Sequence, residues 1–436
     1  MKRGKAGLGA GGWGALASLL ALAWVAQAHA ATLVTAAQIH PVSGPVIENG
    51  QMLFDAGRIV AIGSDLSAQA AGAERIDYPG HWIVPAFVTA NTVMGLVEIE
   101  TVRGSVDVEE TGAINPNARA EVAINPDSEL LPVARANGVL YAHVVPQAGQ
   151  GGGIAGSSAL IRLDGWTYED MTVEAPVGIH LFWPSTRLPP WLPAAMREDA
   201  LKGAERSREA IAKAFDEAAA WRTARDAGTL SGRDGRLEAL ARVLDGKTRL
   251  FIHALEARQI REALDFTAAR GLAFTLVGGL DAWRYAEPLK ARGVGVILHS
   301  PYELPLRRHE GHDVHFSNPA KLHAAGILFA IASDGTSFSA TLERNLPYSA
   351  AQAVAHGLPW EEGLKAITLA PAQLLGVAER IGSLEPGKAA SFIVTDGDPL
   401  EVRSRVVAAW LDGRLLDLSS KHTRLRDRYE RKYQEP

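Results

Sequence analysis

The sequence predicts an α/β protein, a (β/α)8 TIM-like barrel carrying a small composite β-sandwich formed by both chain ends. Three observations point there. Strand-like and helix-like segments alternate through the middle of the chain, and short alternating hairpin patterns occur only near its two ends. The composition, 436 residues with 47% apolar and 21% charged, suits a chain that buries a large core. It excludes disorder and a collagen-like repeat, and the absence of Cys excludes a disulfide scaffold, a thiol nucleophile and any cysteine-ligated metal. The formal charge of -5 and the lack of basic runs outside the termini argue against nucleic-acid binding and for a small-molecule substrate. The sequence sets no oligomeric state.

Residues 1–30 read as a cleavable signal peptide. Lys2, Arg3 and Lys5 precede an apolar stretch at 13–26, and Ala28-His29-Ala30 places small residues at the -3 and -1 positions of a cut after Ala30. The stretch is shorter than the roughly 20 residues that span a bilayer. A periplasmic protein with no stable membrane anchor after cleavage is expected. Mass spectrometry should find Ala31 as the mature N-terminus, and an intact Met1 in the cell-envelope fraction would reject the reading.

Alternation predicts strands at 32–39, 51–54 and 58–62, the last two joined by the tight turn Asp55-Ala56-Gly57. A comparable pattern returns at 391–395 and 406–411, with Asp412-Gly413 turning the chain into 414–416. Neither end holds enough apolar residues for a core of its own. Residues 31–82 and 379–436, the latter with a terminal helix, are therefore expected to complete one β domain around a barrel at 83–378.

Eight strand candidates fill that barrel: 83–90, 95–99, 138–145, 177–183, 249–254, 273–278, 293–298 and 326–333. Helical patterns at 129–137, 256–270, 281–292, 319–325, 346–356 and 360–369 separate several of them or follow the last. The segment 193–244, rich in Ala, Glu and Arg, reads as a solvated helical insertion. A barrel of this kind carries its chemistry at the C-terminal ends of the strands.

The segment Ile83-Val84-Pro85-Ala86-Phe87-Val88-Thr89-Ala90-Asn91-Thr92-Val93 resembles the first barrel strand of the amidohydrolase superfamily, in particular its imidazolonepropionase-like branch. The resemblance continues through Ile252-His253-Ala254, Ile331-Ala332-Ser333-Asp334, residues 368–376 and Gly382-Ser383-Leu384-Glu385-Pro386-Gly387-Lys388, and so covers nearly the whole mature chain. It implies a metal-dependent hydrolase acting on a carbon–nitrogen bond, other than a peptide bond, of a small molecule. His253 would bind metal or polarise a carbonyl, and Asp334 would take the proton from the attacking water.

The customary ligand positions are altered. Where the family places two His on the first strand this chain has Asn91 and Val93, and Gly278 or its neighbour stands where the sixth-strand His belongs. A binuclear site is not expected. At most one divalent ion, zinc being the expected one, would bind, through His253 plus His180, His299 or Asp334. Asp334 ends an apolar strand, where partial burial is expected to raise its pKa; its other reading is a cap on the turn at Thr336 or Ser337. Asn91, Gly152 and Gly153 are the substrate-binding candidates, the glycines by aiming backbone amides at a ligand, with a plain hairpin tip as the alternative. Residues 98–125 read as a lid or substrate wall, and the His-containing loop 309–315 as a solvated loop. A pseudoenzyme that binds a small ligand in the barrel mouth competes with the hydrolase, as does a metal-free hydrolase.

Overall fold

Eighteen strands and their intervening helices are seen in the computed structural model, which describes residues 31–149, 151–189, 191–230 and 232–434. The expected signal at 1–30 lies outside the described residues. In chain order the strands are β1 (Thr32–Ile39), β2 (Ile47–Glu48), β3 (Gln51–Asp55), β4 (Arg58–Gly63), β5 (Glu74–Pro85), β6 (Phe87–Thr92), β7 (Val139–Val144), β8 (Gly153–Ser157) and β9 (Ala159–Arg162). They continue as β10 (Thr172–Glu174), β11 (Gly178–Phe182), β12 (Arg249–Ala254), β13 (Thr275–Gly278), β14 (Val296–Leu298), β15 (Phe329–Ile331), β16 (Phe392–Thr395), β17 (Val406–Leu411) and β18 (Arg414–Leu415).

Both chain ends join one sheet, in the order β18-β17-β16-β5-β1-β3-β4 with β2 against β1. The long strand β5 is the common member: it runs parallel to β1 and antiparallel to β16, whose Phe392 faces Pro85. The expected sandwich is a single hydrogen-bonded sheet curled over itself. Phe54 of β3 meets Phe392 at 5.8 Å and Trp410 at 5.3 Å, edge to face, over a core that also holds Val34, Met52 and Ile83. Where the wings touch, Gly57 has φ 80°, and a Cβ there would lie 2.8 Å from the Asp412 carbonyl, so the turn Asp55-Ala56-Gly57 admits no side chain at that point.

The barrel runs β6, β7, a third stave made of β9 and β8, then β11 to β15. β6 and β7 are parallel, as are β11 through β15, whereas β9 is antiparallel to β7 and β8 is antiparallel to β11. The seam between β6 and the segment after β15 is closed by Asn91 and Ser333. The strand expected at 95–99 does not form; its residues make only the isolated bridges Met94↔Val97 and Val97↔Val106. The stave that replaces it, at 153–162, looked like a glycine loop because its glycines serve a close crossing. The segment 113–118 lies across β8, with Ile154 N donating to Ala113 O and Ser157 N to Ala118 O, both at 2.8 Å. A Cβ at Gly153, φ 151°, would fall 2.1 Å from the Ala113 carbonyl.

The insertion forms two helices, Ala194–Asp226 and Gly235–Leu244, the second capped by Asp234 through the amides of Arg236 and Leu237. It is not solvated all round. Ile211, Phe215 and Ala218 are buried in the barrel core, and Phe215 meets Phe266 of the helix Ala257–Arg270 at 5.4 Å. No helix among the described residues is long and apolar enough to cross a membrane.

Candidate active site

Alternation along β11 and β12 points His180 and Phe182, and Phe251 and His253, into the barrel. Their register pairs His180 with Phe251 and Phe182 with His253. Each pair stacks: His180 lies on Phe251 at 4.7 Å and 3°, and His253 on Phe182 at 3.8 Å and 12°. His180 Nδ1 and His253 Nε2 share a hydrogen bond of 2.8 Å, and the buried His180 Nε2 has no partner. Burial and the neighbouring imidazoles hold both rings well below the ordinary histidine pKa, so they are neutral.

A third imidazole, His143 of β7, went unnoticed in the sequence because it sits in an apolar run. It is fully buried, its Nδ1 donates to the Ala90 carbonyl at 2.8 Å, and Nε2 therefore accepts from Ser158 Oγ at 2.7 Å. Burial pushes its pKa down to about 4. His299, directly after β14, is half-buried, and burial likewise pushes it to about 4 against the opposing pull of Asp334. Its Nε2 is buried without a partner. Gly278, φ 100°, leaves the room beside it: a Cβ there would stand 3.5 Å from His299 Nε2 and 2.4 Å from Leu255.

Beyond β15, Asp334 Oδ1 accepts from the Thr336 amide at 3.1 Å and from Thr336 Oγ1 at 2.9 Å. Burial pushes this carboxyl up, but the bonds from Ser339 and Thr336 and the nearby His299 outweigh it. Its pKa lies below the ordinary carboxylate value, the reverse of the expected rise. The capping reading of Asp334 is thus realised beside its place in the cavity wall.

Glu343, in a short 3-10 turn after the helix Ser337–Ala340, is 2% exposed. Thr89 Oγ1 of β6 donates to its Oε2 at 2.7 Å, and Ser333 Oγ stands 2.6 Å from its Oε1. Burial raises its pKa to about 7 against the opposing hydroxyl bonds, and the charge of Asp334 adds to the rise. No sequence signal marked it.

Asp334, Ser333 and Glu343 line one cavity of about 320 Å³ with Tyr302, Glu303 and Phe338. It opens between the segments that leave β14 and β15, at the C-terminal end of the barrel. Asn91 does not line it. Its Nδ2 donates to the Ser333 carbonyl at 3.2 Å and its side chain packs under Gly335, so it closes the seam. Gly152 and Gly153 are likewise occupied by the protein itself: the Gly152 amide donates to Gly149 O at 2.9 Å, and Cβ atoms at the two positions would strike Phe182 O and Ala113 O. Residues 98–125 wrap β8 rather than this cavity.

The model of the amidohydrolase family matches residues 195–418, more than half of the chain. The chain belongs to the amidohydrolase family. A crystal structure of an amidohydrolase from Thermotoga maritima MSB8 superposes with a TM-score of 0.78 at 23% identity, covering 88% of this chain and 99% of its own. An adenosine deaminase from Xanthomonas campestris with bound zinc gives 0.50 at 19% identity over 91% and 98%. A Xaa-Pro dipeptidase with methionine in its active site gives 0.53 at 14% over 89% and 98%. Amidohydrolase tasK of Hapsidospora irregularis is 34% identical over 92 residues, which is 21% of this chain and 9% of that relative's length. These likenesses show the TIM-like barrel with its β domain.

Members of the amidohydrolase family are hydrolases, mostly of carbon–nitrogen bonds, and generally use metal ions. The donors in this amidohydrolase do not fit a resident ion. His180 and His253 spend a nitrogen each on one another, both nitrogens of His143 are engaged, and Asp334 Oδ1 is held by Thr336. Among the described residues no group of three or more His, Asp or Glu side chains converges as a cation requires. The single-metal set His180, His253, His299 and Asp334 is therefore not assembled around a common point.

Proposed function

We propose that this chain is an exported amidohydrolase that hydrolyses a carbon–nitrogen bond of a small molecule bound in the cavity beside Asp334. The observation that carries the reading is that cavity, of about 320 Å³, lying at the C-terminal rim of the barrel with an ionised carboxylate in its wall. Family membership supports the reaction class, and the charged and small-residue pattern of 1–30 supports export.

The lining favours one kind of substrate. Glu303, Asp334 and Glu343 bring carboxyl groups, Tyr302, Leu304, Phe338 and Leu342 bring apolar surface, and no Lys or Arg is among the described residues that line it. A neutral or cationic molecule with an apolar body suits these walls, and an anionic one does not. Asp334 takes the proton of the attacking water, and the protein's own groups carry the proton transfers.

The test is hydrolysis of p-nitroanilides bearing neutral, cationic or anionic apolar acyl groups. Turnover of the first two classes and rejection of the third is expected, with rates unchanged by chelator or by added zinc. Loss of activity with chelator and recovery with zinc would show that a metal assembles the donors after all. Saturable binding of the acyl compounds with no turnover would assign the cavity to a binding protein instead.

A further inference from the structure

Ser333 Oγ carries a hydrogen-bond conflict that a protonated Glu343 resolves. It stands 2.8 Å from the Asn91 carbonyl oxygen and 2.6 Å from Glu343 Oε1, and it accepts from the Gly335 amide at 3.3 Å. A serine hydroxyl has one proton and two lone pairs. The Asn91 carbonyl is an acceptor only, so the serine proton goes to it. The short contact to Glu343 then needs a proton of its own, and the remaining source is the Glu343 carboxyl. With Glu343 protonated, Ser333 donates once and accepts twice, and every bond is satisfied. An ionised Glu343 would compete with the Asn91 carbonyl for one proton, leaving two acceptors in contact at a buried seam.

The surroundings agree. Thr89 Oγ1 donates to Glu343 Oε2 and the Thr92 hydroxyl also bonds to this carboxyl, while the charged groups around it are acidic: Asp334 from the segment after β15, with Glu303 in the same cavity wall. His299, beside Asp334, is neutral. Two carboxyl groups thus line one cavity in opposite states, Asp334 stabilised as the anion by Thr336 and Ser339 and Glu343 as the neutral acid by burial. Environments that separate two such groups mark an acid and a base.

We propose that Glu343 is a catalytic acid of this site, held as a neutral carboxylic acid in the cavity wall and paired with Asp334 as the base. The inference rests on the hydrolase reading above. As the water oxygen bonds to the carbonyl carbon, Asp334 takes the water proton. The carbon–nitrogen bond then breaks with its electron pair going to nitrogen, which takes the proton that Glu343 holds toward Ser333 at rest, the Ser333 contact being given up in that step. Asp334 afterwards releases its proton to solvent and Glu343 recovers one, so that water and amide become acid and amine. The proton is supplied where an amine must leave, a service that a phenolate leaving group does not need.

Glu343→Gln is the variant of choice, because its amide N–H can donate to Ser333 Oγ and its carbonyl can accept from Thr89, which preserves the seam. Infrared difference spectra of the wild type between pH 5 and pH 9, about two units either side of the Glu343 midpoint, should show a neutral-carboxyl band that disappears near pH 7 and is missing from E343Q. Identical spectra for the two proteins would overturn the neutral acid. On the best p-nitroanilide, E343Q should lower kcat by about 10²-fold or more, and the alkaline fall of the wild-type profile should vanish. On the p-nitrophenyl ester of the same acyl group E343Q should act nearly as the wild type does. Equal losses on anilide and ester, or an unchanged anilide profile, would overturn the donor role while leaving the hydrolase reading intact. A wild type that turns over no anilide would sink the hydrolase reading and the donor role together, and the infrared result would still decide the protonation state.

Discussion

A chain lacking residues 383–436 is expected to lose its cooperative fold, the largest effect anticipated for this protein. The truncation removes β16, β17 and β18, three strands on one side of β5, and leaves that 12-residue strand with an unpaired edge. It also takes Leu384, Ala390, Phe392, Val394, Ala408 and Trp410 out of the core they share with Val34, Met52 and Phe54. Removing a single large buried aromatic costs about 3–5 kcal/mol, and a whole domain is stable by only about 5–15 kcal/mol. Losing six core residues and a row of ladder bonds exceeds that margin. The expected product is insoluble, and Phe392→Ala should lower the denaturant-derived stability by about 3–5 kcal/mol with the fold kept. A soluble truncation that melts in one cooperative step would show that the N-terminal strands fold without the C-terminal ones.

The legible parts of the fold are those whose signal is local. β1 spans 32–39 and β17 spans 406–411, as alternation alone suggests, and the turn residues at 55–57 and 412–413 fall where the hairpins reverse. The third stave was hidden because its requirement is tertiary. Gly153 and Gly156 admit the crossing backbone at Ala113 and Ala118, and a strand that is glycine-rich for such a reason has the composition of a loop. The same division holds at the site. Asp334 could be singled out from an apolar strand ending before a glycine, yet its ionisation runs opposite to expectation because Thr336 and Ser339 bond to it. Glu343 becomes acidic machinery only through burial against Thr89 and Ser333, which are 254 and 10 residues away in the chain. His143 is concealed in the same way, as one inward position of a buried strand.

Asp334→Asn is expected to leave the fold in place and lower kcat on the anilide by about 10²- to 10⁴-fold, the contribution of a general base. The fold survives because Asn keeps an Oδ1 that can accept from the Thr336 amide and hydroxyl, as Asp334 does. What it loses is the lone pair that takes a proton. Asp334→Ala separates the two duties: it should lose both the activity and the turn bonds, lowering stability by about 1 kcal/mol while D334N does not. The hydroxyl and amide bonds also predict the acid side of the pH profile. They hold Asp334 below the ordinary carboxylate value, so the base stays ionised, and activity persists, as pH falls into the range where a free aspartate would protonate. The alkaline side belongs to a different group, since Asp334 remains an anion there while Glu343 loses its proton near pH 7. D334N should therefore lower the whole profile and, because the Asp334 charge that adds to the Glu343 rise is gone, move the alkaline limb to lower pH, whereas E343Q removes that limb. Full turnover in D334N would place the base elsewhere, and the cavity would have to be read again from its other carboxylate, Glu303.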